Sequence, residues 1–455
     1  MIASIYTDHP SLMESQLPEF LEAAGVRFVR VLWCDNANVI RSKAIHVGVL
    51  AAHLHGIGLS MAQQAIPVMY DAVVPETGLG PVGEVWLVAD WSTFNLLPYA
   101  PSHAQVMGDM VKDSLAWPLC PRSFLKRMVA AAQEAGLEVK AAFENEFYLL
   151  RSTPDGVMPA DQTVFAATQA MNLHQAVINE IADALLAQKI PVECYYPESG
   201  PGQHEISIGY TQALPAADRQ IAYRETVRGV AIHHGLIASF LPKIFADQAG
   251  SGCHLHLSLW QGEQNLLPDA EGIGGLSPTA RAFIAGILLH LPALMALTTP
   301  SSNSYRRIRP HFWSGAFRAW GLDNREAAIR IPSNPVAPSP THFELKTVDA
   351  SANPYLALGG VIAAGLDGVR RALDLGEPVQ IDPGYLSAAE RIARGIEPLP
   401  LNLGEAIANL SQDEALLNAL GSELAQAYLA VRQAEWKAMQ GLDLVEEVKL
   451  LLERY

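Results

Sequence analysis

The sequence predicts an α+β fold of two closely held domains. Three observations carry that reading: short segments of alternating apolar and polar residues, helical spacings of apolar residues interleaved with them, and no flexible Gly/Ser linker. The 455 residues are 50% hydrophobic, ample for a sizeable core, and length alone would suggest about three domains. Residues 26–33 mostly alternate and read as a strand with one buried face. Asp35-Asn36-Ala37-Asn38 supplies turn chemistry, and Val39–Ile45 reads as the return strand. Residues 66–83, rich in Pro and Gly, form an expected ordered loop before a strand at Glu84–Asp90. The domain boundary falls near residue 112, giving a small mixed domain (1–112) and a larger one (113–455). Beyond it, Pro121–Ala135, Val164–Gln188, Pro215–His234 and Pro278–Leu297 have helical spacing. Val139–Leu150, His204–Tyr210, His254–Trp260 and Phe343–Val348 alternate as strands, and Leu403–Tyr455 reads as helical and amphipathic.

Charge and composition exclude several function classes. A net charge of −16 (31 Lys+Arg against 47 Asp+Glu) disfavours a nucleic-acid partner gripped through a net basic surface. The first residues, MIASIYTDHPSLMESQ, have neither a basic nor an apolar leader region, so no secretory signal is expected. The most apolar run, Gly286–Leu297, is interrupted by His290 and Pro292 and is too short to span a bilayer. Cys34, Cys120, Cys194 and Cys253 are widely spaced without a CxxC, which points to reduced thiols in a cytoplasm.

The chemistry emerges from asking which residues share a strand face, since positions two apart do. Glu144 and Glu146 oppose Phe143 and Phe147; His254, His256 and Ser258 oppose leucines; Gln203, Glu205 and Ser207 share a side, with Glu198 just upstream; Glu344 and Lys346 share another. One such segment alone is most often a solvated face. Four together make an oxygen-rich donor set suited to Mg²⁺ or Mn²⁺. Two arginine clusters, Arg306-Arg307-Ile308-Arg309 and Arg325 through Arg330, supply groups that pair with carboxylate and phosphate. Hard cations beside arginines point to ATP-dependent chemistry, yet no P-loop GxxxxGK[ST] occurs.

At these residues the sequence resembles the glutamine synthetase family, with six segments in family order: FENEFYLL (143–150), ESGPGQHEI (198–206), GSGCHLHLSL (250–259), NSYRR (303–307), NREAAIRIP (324–332) and ANPYL (352–356). The resemblance implies a β-grasp-like N-terminal domain and a catalytic domain with a curved antiparallel sheet flanked by helices. It also implies stacked rings, with a homododecamer as the expected assembly. Carried over residue by residue, it makes Glu146, Glu198 and Glu205 ligands of one divalent ion and Glu144, His254 and Glu344 ligands of a second. It places Glu193, His256 and Ser258 at ATP, Arg325 and Arg330 at the phosphates, and Arg307 with the Gly250 backbone at the acid substrate. The implied reaction is amide formation through an acyl-phosphate.

Departures from the family pattern fall at the substrate end. Ala249 stands where glutamine synthetases carry Asn before the GSG turn, and Lys346 where they carry Arg, which keeps the charge and loses the fork. Trp313 stands where the family's flap Glu binds ammonium. An indole in place of a carboxylate removes attraction for NH₄⁺ and adds apolar surface, so the expected co-substrate is a substituted amine. Two alternatives stay open: an ordinary glutamine synthetase whose amine site is completed by other residues, and a non-catalytic scaffold of the same fold.

Overall fold

The computed structural model describes residues 10–336 and 338–455, with side chains from residue 17 onward. The first nine residues of the stretch read as lacking a leader lie outside the described residues. The smaller sheet uses strands β1 (Phe28–Cys34), β2 (Ile40–His46), β3 (Ile57–Ser60), β4 (Glu84–Leu96), β5 (His103–Lys112) and β6 (Leu115–Ala116). Its order is β2-β1-β5-β4-β3, with β6 on β5 and only β1 and β5 parallel. Helix α1 (Pro10–Ala23) precedes it, and Leu17 and Leu21 join its apolar core beside Val29, Val31 and Leu87.

The larger sheet has twelve strands: β7 (Glu138–Thr153), β8 (Gly156–Pro159), β9 (Val192–Pro197), β10 (Gln203–Ile208), β11 (Thr211–Gln212), β12 (Ile237–Ser239), β13 (Cys253–Gln261), β14 (Gln264–Asn265), β15 (Phe317–Leu322), β16 (Ala327–Ile331), β17 (Phe343–Leu345) and β18 (Glu397–Pro398). Its main path runs β18-β15-β16-β17-β13-β7-β10-β9. The expected antiparallel sheet is found with one correction, because β15 and β16 run parallel. Along β7, Ala141, Phe143, Asn145 and Phe147 are buried while Glu144 and Glu146 between them are not fully so. The buried Asn145 is satisfied by Gln220 at 2.7 Å, on a helix covering the apolar face.

The helices of that half are α2 (Pro121–Glu134), α3 (Thr168–Ala187), α4 (Ala213–His233), α5 (Pro278–Thr298), α6 (Ser304–Arg307), α7 (Pro354–Arg371), α8 (Ala388–Ala393), α9 (Leu403–Leu410), α10 (Glu414–Leu420), α11 (Ser422–Met439) and α12 (Leu444–Leu451). Helix α5 agrees with the Pro278–Leu297 reading to within one residue. Its 21 residues satisfy length and composition for a membrane span, but 72% of its most apolar window is buried inside the fold. His290 on α5 is held between Asp413 (2.6 Å) and Asp367 of α7 (3.0 Å). Where α5 crosses α7, Gly286 and Gly368 bring the backbones together: a Cβ on Gly368 would lie 2.1 Å from the Ala282 carbonyl oxygen.

The two sheets are tied by charge and by the C-terminal helices. Arg122 on α2 pairs with Asp90 of β4, Asp109 of β5 and Asp218 of α4 at 2.9–3.0 Å. The turn between β1 and β2 receives hydrogen bonds from Asn353 to Cys34 and Asp35, Arg432 to Asn36 and Tyr455 to Ala37.

Candidate active site

Register builds the site. In an antiparallel pair, directly opposed residues share a face. His254 lies opposite Glu144, His256 opposite Glu344, Glu205 opposite Glu146 and Arg330 opposite Glu344. Five adjacent strands, β16-β17-β13-β7-β10, therefore present one continuous row of charged groups while their alternate residues enter the core.

Side-chain geometry draws the row together. His254 Nδ1 is 3.0 Å from Glu144 Oε2 and 3.1 Å from Glu344 Oε1. His256 Nε2 is 3.2 Å from the same Glu144 oxygen. Glu144, His256 and Glu344 each offer a ligand atom within 4.8 Å of the other two. Glu344, 1% exposed, also meets Arg330 Nη1 and Lys346 Nζ, both at 3.0 Å. Lys346 thus neutralises a buried carboxylate in this arrangement.

Glu146 Oε2 accepts from Gly252 N (3.0 Å) and Gln203 Nε2 (3.2 Å). Gln203 also donates to the Gly250 carbonyl at 3.1 Å. Gly250 in turn packs on Arg307, where a Cβ would lie 2.6 Å from Cγ. Arg307 is buried, donates through Nη2 to the Lys346 and Val348 carbonyls, and keeps Nε without a partner among the described residues.

Electrostatics divides the carboxylates in two. Burial opposes ionisation of Glu144 and Glu344, but His256 beside the first and Lys346 beside the second, together with the His254 hydrogen bonds, hold both well below the usual carboxylate range. Burial, and then Glu144, Glu146 and Glu198, push Glu205 up to about 10. Burial and Glu146 push Glu198 up to about 7. Glu146, Glu198 and Glu205 thus repel one another in a setting that a divalent cation would neutralise, and their donors are the hard oxygens Mg²⁺ and Mn²⁺ prefer. The residues present fit such ions.

Beside this row a cleft of about 470 Å³ is lined by Glu144, Glu193, Ser207, His256, Ser258 and Trp260, among others. Glu193, His256 and Ser258, read separately from the sequence, therefore meet in one place. Lys140 Nζ sits 3.7 Å over the Trp260 ring. Trp313 is 57% exposed in a loop at φ +53°, with the Arg325 guanidinium 5.9 Å from its ring. The Glu326 carboxylate accepts from His311 N and Trp313 N and shapes that loop. Sequence reading assigned no role to Glu326, Gln203 or Tyr196, whose hydroxyl reaches Glu205 at 3.0 Å. Period two already put Gln203 on the face of Glu205; Tyr196 needed the β9–β10 register, which seats it opposite Glu205.

Family models match both halves: the glutamine synthetase N-terminal domain over residues 14–117 and the glutamine synthetase catalytic domain over 118–449. The chain belongs to the glutamine synthetase family. It is accordingly an ATP-dependent, amide-forming ligase of that family. A similar relative is the gamma-glutamylpolyamine synthetase GlnA3 of Streptomyces coelicolor, 38% identical over 93% of this chain and 92% of that protein. Type-1 glutamine synthetase 1 of Dictyostelium discoideum is 35% identical over 94% and 90%. Among solved structures, a novel glutamine synthase homolog superposes with a TM-score of 0.84 at 33% identity, covering 94% of this chain and 99% of that one. The GmaS/ADP complex gives 0.83 at 30% identity, covering 96% and 99%. Both are glutamine synthetase-like folds, and the α+β expectation agrees with them.

Proposed function

We propose that this glutamine synthetase-family ligase joins a substituted amine, in preference to ammonia, to the side-chain carboxylate of glutamate or a related acid. The observation that carries the reading is Trp313: an exposed indole on a carboxylate-braced loop where the family places an ammonium-binding Glu. Similarity to a gamma-glutamylpolyamine synthetase supports it.

In the proposed site Glu146, Glu198 and Glu205 hold one divalent ion and Glu144, His254 and Glu344 another; such ions supply charge neutralisation for phosphoryl transfer. ATP occupies the cleft of Glu193, His256 and Ser258, with Arg325 and Arg330 at its phosphates; similarity to a protein solved with ADP supports a nucleotide here. Arg307, seated against Gly250, orients the acid. The substrate carboxylate attacks the γ-phosphorus, releasing ADP and forming an acyl-phosphate. The neutral amine then attacks the acyl carbon, phosphate leaves, and the amine proton passes to solvent or a nearby base. Trp313 covers the amine's carbon chain, and Lys346 keeps Glu344 ionised.

Free cysteines, three of them buried, favour a reducing cytoplasm. The proposed assembly is the family's homododecamer, which sedimentation velocity tests directly. Specificity is tested by phosphate release from ATP with Mg²⁺ or Mn²⁺ across a matrix of acids and amines. Alkylamines or polyamines should exceed ammonia; glutamate with ammonia outperforming every other pair would overturn the specificity. Absence of ATP binding in calorimetry with Mg²⁺ would favour the scaffold reading.

A further inference from the structure

Strand β10 has a second polar feature, on the face opposite Glu205. His204 is fully buried, and neither ring nitrogen has a hydrogen-bond partner among the described residues. A buried imidazole with both nitrogens unpaired is costly, since one must carry a proton and the other a lone pair. His174, in the second turn of α3, stands edge-on to it, ring centroids 5.0 Å apart at 80°. Asp161, in the connection between β8 and α3, completes the group: its Oδ2 is 2.8 Å from His174 Nε2. Its other oxygen is held by Thr163 N and Oγ1 at 2.6 and 2.7 Å, which aims Oδ2 at the histidines. The three residues are 8%, 5% and 0% exposed, and each offers a ligand atom within 4.8 Å of the others.

We propose that Asp161, His174 and His204 form a further metal site that takes a zinc-class divalent transition ion. Two imidazoles and one carboxylate, with a water as the fourth ligand, are a borderline donor set that suits Zn²⁺ over the hard ions favoured by the glutamate row. Tetrahedral bonds of about 2.0–2.1 Å place donor atoms about 3.3 Å apart. The Asp161–His174 separation of 2.8 Å is shorter than that value and all three ligand atoms lie within 4.8 Å of one another, so modest side-chain rotation closes the site around an ion. On binding, His174 moves its proton from Nε2 to Nδ1, and its hydrogen bond to Asp161 is exchanged for metal bonds from both partners. His204 gains the partner it lacks. Because the ligands come from a loop, a helix and a strand, the ion would fasten α3 to the back of the sheet whose front carries Glu205.

The site is tested on the full chain, dialysed with excess Mg²⁺ to fill the catalytic positions. Elemental analysis should find one zinc per chain in the wild type and none in Asp161→Asn or His174→Gln. Cobalt(II) added to zinc-stripped wild type should give the visible bands of tetrahedral coordination, and Glu344→Gln, altered only at the catalytic row, should keep them. Circular dichroism confirms that the variants fold. Equal zinc in wild type and His174→Gln, or no tetrahedral cobalt spectrum in the wild type under saturating Mg²⁺, would overturn the proposal; the cobalt arm decides even if the variants do not fold.

Discussion

Glu205 is the residue on which the charged row presses hardest. Burial, and then Glu144, Glu146 and Glu198 around it, oppose its ionised form, an opposition that a divalent cation would relieve. Glu205→Gln should therefore raise the melting temperature in chelator and lower Mn²⁺ affinity by about tenfold or more, since a carboxylate ligand is lost. Calorimetry with and without Mn²⁺ checks both signs; an unchanged Mn²⁺-induced shift would contradict the ligand role. His254, which bridges Glu144 and Glu344, gives the kinetic counterpart. His254→Ala should lower kcat by about a thousandfold, roughly 4 kcal/mol of barrier, and a near-normal rate would refute its place in the site. Both residues could be named from the sequence because strand alternation displays donors in a countable way. Lys346 shows the limit of that method: its face was legible, but its contact with Glu344 depends on a side chain just past the end of β17 reaching back along it.

At the scale of elements, α5 and α7 show which signals a sequence hides. Helix α7 was not expected, because Gly359, Gly360, Gly365 and Gly368 depress helix propensity and its faces are mostly buried, leaving no polar stripe to set a period. Those glycines serve packing. A Cβ on Gly286 would lie 2.2 Å from the Ala364 carbonyl oxygen, a backbone atom that cannot rotate away. Gly286→Ala or Gly368→Ala should destabilise by about 3 kcal/mol or more despite the better helix former, as read by chemical denaturation.

His290 makes the same pair of helices pH-sensitive. Burial disfavours its charge, but hydrogen bonds to Asp413 and Asp367 prevail and raise its pKa above 6.5. The folded state holds this proton more tightly than the unfolded chain, so the stabilisation is complete below 6.5 and fades as pH rises through the higher folded value. The melting-temperature gap between wild type and His290→Gln should be widest near pH about 6 and narrow towards about 9. A gap that widens with pH would show that the pair is not ionic.

For the whole molecule, four of the larger sheet's strands (β7, β10, β13 and β17) and its long helices other than α7 were visible, whereas the remaining strands and the pairing that assembles them were not. Alternation identified β7, β10 and β13, yet only the register reveals that Glu146 faces Glu205 and His256 faces Glu344. Contacts across several hundred residues leave no local trace. The turn at residues 34–38 is fastened by Asn353, Arg432 and Tyr455, none of which carried a sequence signal for that task. Tyr455, 1% exposed, should be costly to truncate: Tyr455→Ala loses a packed ring and leaves the Ala37 carbonyl without its donor, about 3–5 kcal/mol together. Unfolding followed by tryptophan fluorescence would show it, and a loss under about 1 kcal/mol would mean that the tail is dispensable.

The two-sidedness of β10 also constrains how this protein can change over evolutionary time. Substitutions alter one face at a time, so the charged row in front and the packing behind can drift separately. A single-residue insertion or deletion within the strand is different in kind: downstream of the lesion it would turn Glu205 inward among apolar side chains and His204 outward into the cleft. Length variation in this family member is therefore expected to be confined to its loops, while the strand's residue count is held as an integer constraint.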